Sequence, residues 1–502
     1  MFDEWTRELY NSEMRNAPTV TRNRHTEGNP DHPTAPVTGG VGVRPGTGDY
    51  GELGAAAVQE IRKLTDIRDD TGTEGTRPVR VMMLSWEYPP VLVGGLGRHV
   101  HSLSTALVAA GHEVTVVTRH APGAPLEEYM EGVRVVRAPE DPPLFPLSTP
   151  NLLAWTMAFN HSLTRAALRA AESGEYDVIH AHDWLVTHTA VTLKEHLDLP
   201  MVATIHATEA GRHQGWLPGE MNKCIHSVEY WLGHEACRVI SCSEYMRWEV
   251  TRLLDLPTSR VAVVPNGVNT AQWQANPRAV AAARARFASE GPLLGFAGRL
   301  VYEKGVQDIV AALPELRYRY PGLRMVIAGD GPYRAELQEE ARKRSLHRAV
   351  SFAGFLGDEL PAVLAATDAL VVPSIYEPFG MVALEGASAG APLAVAATGG
   401  LAEIVEPGVT GVTFPAKNPD ALASAVSSLL TNQVEAKQMA KRAKRMVRDR
   451  FGWGNIADLT VAEYRAAKRE APAFDARQAQ AMLDRRPTIV VPEGNLLEGV
   501  LS

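Results

Sequence analysis

From Val79 onward the chain repeats one pattern: a short apolar run that closes on polar residues, a glycine-rich turn, then a segment with helical spacing of its apolar positions. "VRVMMLSW" (79–86) is the first such run. "HVHSLSTALVAAGHEVTVVT" shows the whole unit, a helix stopped at Gly111 and a strand at 113–118. Later strands are predicted at 176–183, 201–206, 238–243 and 260–268. A polar helical connector, "ANPRAVAAARARFASEGP", follows. The alternation then restarts at 293–298, 324–329, 350–355 and 369–374, with "PLAVAA" and "GVTF" as further strands. Alternating strands and helices of this kind build parallel sheets. The pattern predicts two α/β domains hinged near residue 290, at 78–290 and 291–454. A helix over 455–471 and a tail over 472–502 complete the chain. Residues 1–77 read as a largely disordered extension: 15–50 are rich in Pro, Gly, Thr and Asn, and only 52–70 has the makings of a short helix.

Composition narrows the functions. The 502 residues are 45% hydrophobic and 22% charged, which suits two full cores. A net charge of −8 and an isoelectric point near 6.1 give no basic footprint for nucleic acid. The opening "MFDEWTRELYNSEMRN" lacks an apolar signal core, and no run of about 18 apolar residues occurs, so neither export nor a membrane span is expected. Three cysteines (Cys224, Cys237, Cys242) without C-x-x-C spacing suit a reducing compartment and read as core residues. The expected location is the cytoplasm.

Ligands of open α/β sheets bind beyond the carboxyl ends of the strands, so the polar residues that close each run carry the chemistry. "SIYEPFGMVALEG" (374–386) sets Glu377 in a loop after a strand and Glu385 about one turn into the helix that follows, of order 10 Å apart. The backbone donors of Phe379, Gly380 and Met381 lie between them. A helix start attracts phosphate, whereas a carboxylate repels it unless it faces something else. Hydroxyl groups donate and an ionised carboxylate only accepts. One acid therefore suits a hexose and the other a ribose, on either side of a diphosphate. A Glu that merely complements the helix dipole is the plainer reading of Glu385. Arg299 and Lys304, in "GRLVYEKG", provide a fork and a point charge for the same diphosphate; a solvated loop is the alternative.

In the first half, Gly94 and Gly95 of "PPVLVGGLGRHV" allow close approach of a ligand to the backbone, and Gly97 allows helix packing. The spacing is not G-x-G-x-x-G, and the next strand ends "VVTRH" without the acid a nicotinamide site needs. "HAHDW" (180–184) and "TIH" (204–206) place His182, Asp183 and His206 at strand ends. A metal could be drawn from the H-x-H-D run, but it supplies at most three ligands, and packing beneath the cleft is preferred for His180. No metal site is assigned. Trp184 and Trp216 are either sugar platforms or core.

Taken together, "EPFGMVALE", "GRLVYEKG", "GGLGRHV", "HAHDW" and "TIH" resemble the retaining GT-B glycosyltransferases, in the branch of glycogen and starch synthases and related bacterial α-glucosyltransferases. The resemblance spans most of 79–470. It implies two Rossmann-like domains facing across a cleft, with the last helix crossing back to the first. It also implies roles. Arg299 and Lys304 bind the donor diphosphate and stabilise its departure, Glu377 holds the transferred sugar, and Glu385 holds the ribose. His206 lies by the anomeric centre, Asp183 near the acceptor or sugar, and Gly95 offers backbone to phosphate. Leu92 stands where ADP-glucose-dependent bacterial synthases carry the Lys of K-x-G-G-L, which leaves the donor base open.

The function expected on this basis is transfer of glucose, with retention, from ADP- or UDP-glucose to an α-glucan-type acceptor through an α-1,4 bond. Transfer to glucose 1-phosphate, giving maltose 1-phosphate, is the nearest alternative. A sugar-nucleotide epimerase and a non-catalytic carbohydrate-binding protein are alternatives of other classes. The implied partners are a nucleotide sugar and a glucan or sugar phosphate, with no resident cofactor.

Overall fold

The computed structural model describes residues 77–139, 147–288 and 290–483. The extension over 1–77, its expected helix at 52–70 and the chain beyond 483 lie outside the described residues, Arg77 excepted. Two sheets organise the rest. The first contains β1 (Arg80–Leu84), β2 (Glu113–Arg119), β3 (Glu127–Met130), β4 (Val133–Ala138), β5 (Val178–His182), β6 (Met201–Ile205), β7 (Arg238–Ser241) and β8 (Val261–Val263). Their order is β3-β4-β2-β1-β5-β6-β7-β8. The second contains β9 (Leu293–Ala297), β10 (Arg324–Ala328), β11 (Val350–Gly354), β12 (Ala369–Val372), β13 (Leu393–Ala396) and β14 (Val412–Phe414), in the order β11-β10-β9-β12-β13-β14.

Every pairing is parallel except β3 with β4. Central strands of such sheets are covered on both faces, and Val81, Met82, Met83 and Leu84 of β1 are fully buried. In register, Val81 faces Val114 of β2 on one side and Val178 of β5 on the other.

Three elements depart from the sequence-based expectation. The hairpin β3–β4 is absent from it, because "EEYM" is too polar to read as a strand. Its turn is the pair Glu131 and Gly132, both at positive φ (51° and 83°), the conformation two-residue hairpins require. Arg137 of β4 is buried by that hairpin, paired to Glu128 at 2.6 Å. Strand β8 stops at Val263, short of the expected 268, since Pro265 has no N–H for the ladder. The last helix runs Trp453–Leu483, through Pro472 and past the expected end at 471. Phe474, 4% exposed beneath the Arg260 guanidinium, anchors the extra turns, and Gln478 donates to the His234 carbonyl at 3.0 Å.

This last helix lies on the first domain. Ile456, Ala457, Val461 and Tyr464 share a core with Val100, Leu103 and Leu107 of helix Gly95–Ala109. The parallel strands of each sheet reverse their order once. In the first the reversal is at β1/β5 and in the second at β9/β12, and these are the places where open sheets form a crevice.

Candidate active site

Both reversals carry the residues singled out from sequence. In the second domain, Lys304 follows β9 and Glu377 follows β12. Lys304 Nζ lies 2.8 Å from Glu377 Oε2, and Ser374 Oγ donates to the same oxygen at 3.0 Å. The loops are fixed by close backbone packing. Gly305 has φ +72°, and a Cβ there would lie 2.0 Å from the Pro373 carbonyl oxygen. Only glycine lets the Lys304 loop rest on the end of β12. Arg299 is exposed on the same loop, two residues beyond the end of β9.

The turn Pro378–Gly380 leads into helix Met381–Ala389. Gly380 has φ +119° and starts the helix without a side-chain cap, so the first N–H groups keep no intrahelical partner. The Phe379 side chain is buried and meets Phe451 edge-on, which fixes the turn. Glu385 lies in the second turn of the helix and is 6% exposed. Burial pushes its carboxyl up to about 7, against a smaller opposing pull from Arg98, whose Nη1 is 3.9 Å away across the cleft.

In the first domain, Asp183 ends the β5 run with φ +59°, an uncommon backbone for a non-glycine residue. Its Oδ1 accepts the His206 backbone N–H at 2.8 Å, and burial raises its carboxyl to about 6. His206 follows β6, and burial lowers its ring to about 4, so the imidazole is neutral at ordinary pH. His206 Nε2 meets His182 Nδ1 at 3.1 Å. His99 packs edge-on to His206, with centroids 4.7 Å apart.

The H-x-H-D run therefore does not act as one unit. His180 turns beneath the sheet end to Tyr464 Oη and Thr204 Oγ1, each at 2.7 Å, and Asp183 holds backbone. The histidines that do converge are His99, His182 and His206, with ring nitrogens within 4.8 Å of one another. Within this group His182 Nδ1 and His206 Nε2 are hydrogen-bonded to each other at 3.1 Å.

Gly95 opens helix Gly95–Ala109 with nothing within 4 Å of where a Cβ would stand, whereas a Cβ on Gly97 would touch Leu92 at 2.7 Å and Glu87 at 3.0 Å. Trp216 is half exposed and Trp184 partly covered. Cys224 is exposed, contrary to its reading as core; Cys237 and Cys242 are buried.

Several residues of the site escaped sequence reasoning. Glu87 is 3% exposed and its Oε2 accepts the N–H groups of Val93 at 2.8 Å and Gly94 at 3.0 Å, which shapes the glycine turn. Its place in "WEYPP", between a strand and that turn, was the available signal. Ser243 donates to the Pro378 carbonyl at 2.7 Å, and Glu403 accepts the Glu244 and Tyr245 N–H groups at 2.9 and 2.8 Å, so the two domains meet at the acidic turn. No local pattern announces such long-range partners.

Residues 93–272 match the family described as Glycosyltransferase Family 4, and residues 280–446 match Glycosyl transferases group 1. A glycogen synthase of Mycobacterium tuberculosis is 46% identical over 404 residues, covering 78% of this chain and 95% of the relative. The chain belongs to the GT-B glycosyltransferases of group 1. It is thus an enzyme that transfers a hexose. A D-inositol 3-phosphate glycosyltransferase of Xylanimonas cellulosilytica is 30% identical over 80% of this glycosyltransferase and 99% of that relative. Among solved structures, the sucrose-phosphate synthase of Thermosynechococcus elongatus superposes with a TM-score of 0.67 at 25% identity, covering 77% of this enzyme and 98% of that chain. The glycosyltransferase has no helix, among its described residues, long and apolar enough to cross a membrane.

Proposed function

We propose that this glycosyltransferase moves glucose, with retention, from a nucleoside diphosphate to an α-glucan-type acceptor, forming an α-1,4 bond. The observation that carries the reading is the Lys304–Glu377 pair at 2.8 Å beside the uncapped start of helix Met381–Ala389. One cation, one acid and a row of free amide donors meet where β9 and β12 diverge. Lys304, Arg299 and the N–H groups of Phe379, Gly380 and Met381 suit a diphosphate. Glu377 suits hydroxyls of the sugar and Glu385 those of the ribose.

In the proposed reaction the bond from the anomeric carbon to the diphosphate oxygen breaks with its electron pair on that oxygen. The acceptor hydroxyl forms the new bond on the same face, and its proton passes to the departing phosphate oxygen. Charge grows on the diphosphate as it leaves, so fixed cations and amides lower the barrier. Neutral His206 and the Asp183 carboxylate line the sugar and acceptor side. The reading assigns no metal and no resident cofactor to these steps.

The high identity to a glycogen synthase supports a glucan acceptor. A phosphorylated acceptor, glucose 1-phosphate giving maltose 1-phosphate, is the second reading, favoured by the relative named for an inositol phosphate. Nucleotide release from UDP-glucose and ADP-glucose, each with maltooligosaccharide or glucose 1-phosphate, separates the two. Release with no pairing would sink both. Among variants, Glu377→Ala should abolish turnover and Lys304→Ala should cut kcat about a hundredfold, roughly 3 kcal/mol. Glu385→Ala should act chiefly on the donor KM. Small and equal effects of all three would refute the roles.

A further inference from the structure

We propose that Arg98 is a further donor-binding residue, supplied by the first domain, whose guanidinium leaves Glu385 for the donor diphosphate when ribose hydroxyls occupy that carboxylate. The inference rests on the donor reading above.

A buried carboxylate needs a counter-charge, and the one beside Glu385 comes from across the cleft. At 3.9 Å the pair is longer than a direct charge-assisted hydrogen bond, and the Arg98 side chain is 63% exposed while that of Glu385 is 8%. The guanidinium is therefore held by attraction without a closed fork, and it can turn at little cost. Arg98 stands in the first turn of helix Gly95–Ala109, directly after Gly97, whose contact with Glu87 and Leu92 leaves no room for a larger residue.

The neighbouring backbone points the same way. Glu87 already takes the N–H groups of Val93 and Gly94, so those donors of the glycine turn are not available to a phosphate. What the first domain offers at this edge is the open backbone at Gly95 and the Arg98 side chain. In a nucleoside diphosphate sugar the diphosphate lies between ribose and hexose. A ligand with its ribose on Glu385 and its sugar on Glu377 brings that anion beside Arg98. Ribose hydroxyls donating to Glu385 keep the acid ionised and satisfied, which frees the guanidinium for the second anion. Arg98 then completes a set with Arg299 and Lys304, one cation from the first domain and two from the second.

Calorimetric titration of the full chain with UDP and UMP, or ADP and AMP where the adenine nucleotides bind better, tests this. Arg98→Ala should weaken the diphosphate by tenfold or more and the monophosphate by much less. Arg98→Lys should recover part of the loss. Removing the counter-charge of Glu385 should slightly lower the melting temperature of Arg98→Ala above pH 7, so affinities are compared well below the onset of melting. Unchanged diphosphate affinity in Arg98→Ala overturns the inference, as does an equal loss for both nucleotides. Wild-type protein that binds neither diphosphate removes the donor reading together with the inference. Normal wild-type binding with an indifferent Arg98→Ala removes the inference alone.

Discussion

Glu385 and Asp183 are acids whose environment raises rather than lowers their proton affinity. In both, burial is the leading cause: it lifts Glu385 to about 7 from 4.5 and Asp183 to about 6 from 3.8. A group whose folded pKa is raised favours folding at low pH, and that contribution fades as pH rises through the folded value. For Glu385 the loss falls between pH 4.5 and about 7. Thermal melts should therefore show Glu385→Gln more stable than wild type at pH 8 and no better below pH 4.5. Under the proposed roles activity runs the opposite way, because hydroxyl recognition would need the carboxylates ionised. The kcat/KM profile should fall on the acid side below about pH 7, and Glu385→Gln should raise the donor KM and move that limb down toward the value of about 6 of Asp183. An acid limb near 4 in wild type would contradict this assignment. A buried acid that weakens the fold to serve a ligand is a common bargain at functional sites.

At the scale of elements, the decisive feature is how helix Met381–Ala389 begins. Gly380 turns the chain at φ +119°, and a Cβ there would come within 2.6 Å of Leu401. A side-chain cap would satisfy the first amides; glycine leaves them for a ligand. Gly380→Ala should lower unfolding stability by about 1–3 kcal/mol and also raise the donor KM. Denaturant titration and donor kinetics check the two halves separately; a stable variant with normal KM would show that the turn has no such role. Glu377 is held from behind, with its carbonyl accepting the Gly400 N–H at 3.0 Å. The loop after β13 thus supports the loop after β12.

For the whole molecule, the two domains are joined by polar ties at the edge of the cleft. The Tyr376 hydroxyl donates to Glu249 Oε1 at 2.9 Å, and Thr208 Oγ1 donates to the same oxygen at 2.5 Å. One buried acid of the first domain so links the residue before Glu377 to the segment after His206. Tyr376→Phe should cost about 1–3 kcal/mol, the penalty of a poorly satisfied buried group, and lower kcat by misplacing Glu377. Equilibrium unfolding and steady-state rates measure both; loss of neither would detach this tie from the site.

The order of apolar runs and turns was enough to give the strand succession, the hairpin β3–β4 apart, and the residues that close each strand. Burial on two faces forces that alternation onto any parallel sheet, so it is written locally. The positions of Glu377, Lys304, Asp183 and His206 beyond the strand ends were legible for the same reason, and ligands meet such sheets there. The polar strand β3, the continuation of the last helix through Pro472 and the short β8 were not, because each depends on partners distant in sequence. Tertiary structure alone placed Glu87 on the glycine turn, gathered His99 with His182 and His206, and set Arg98 opposite Glu385. The Arg98–Glu385 pair joins residues nearly three hundred positions apart. Local propensity carries no information across that span; only the packing of two completed domains brings the charges together.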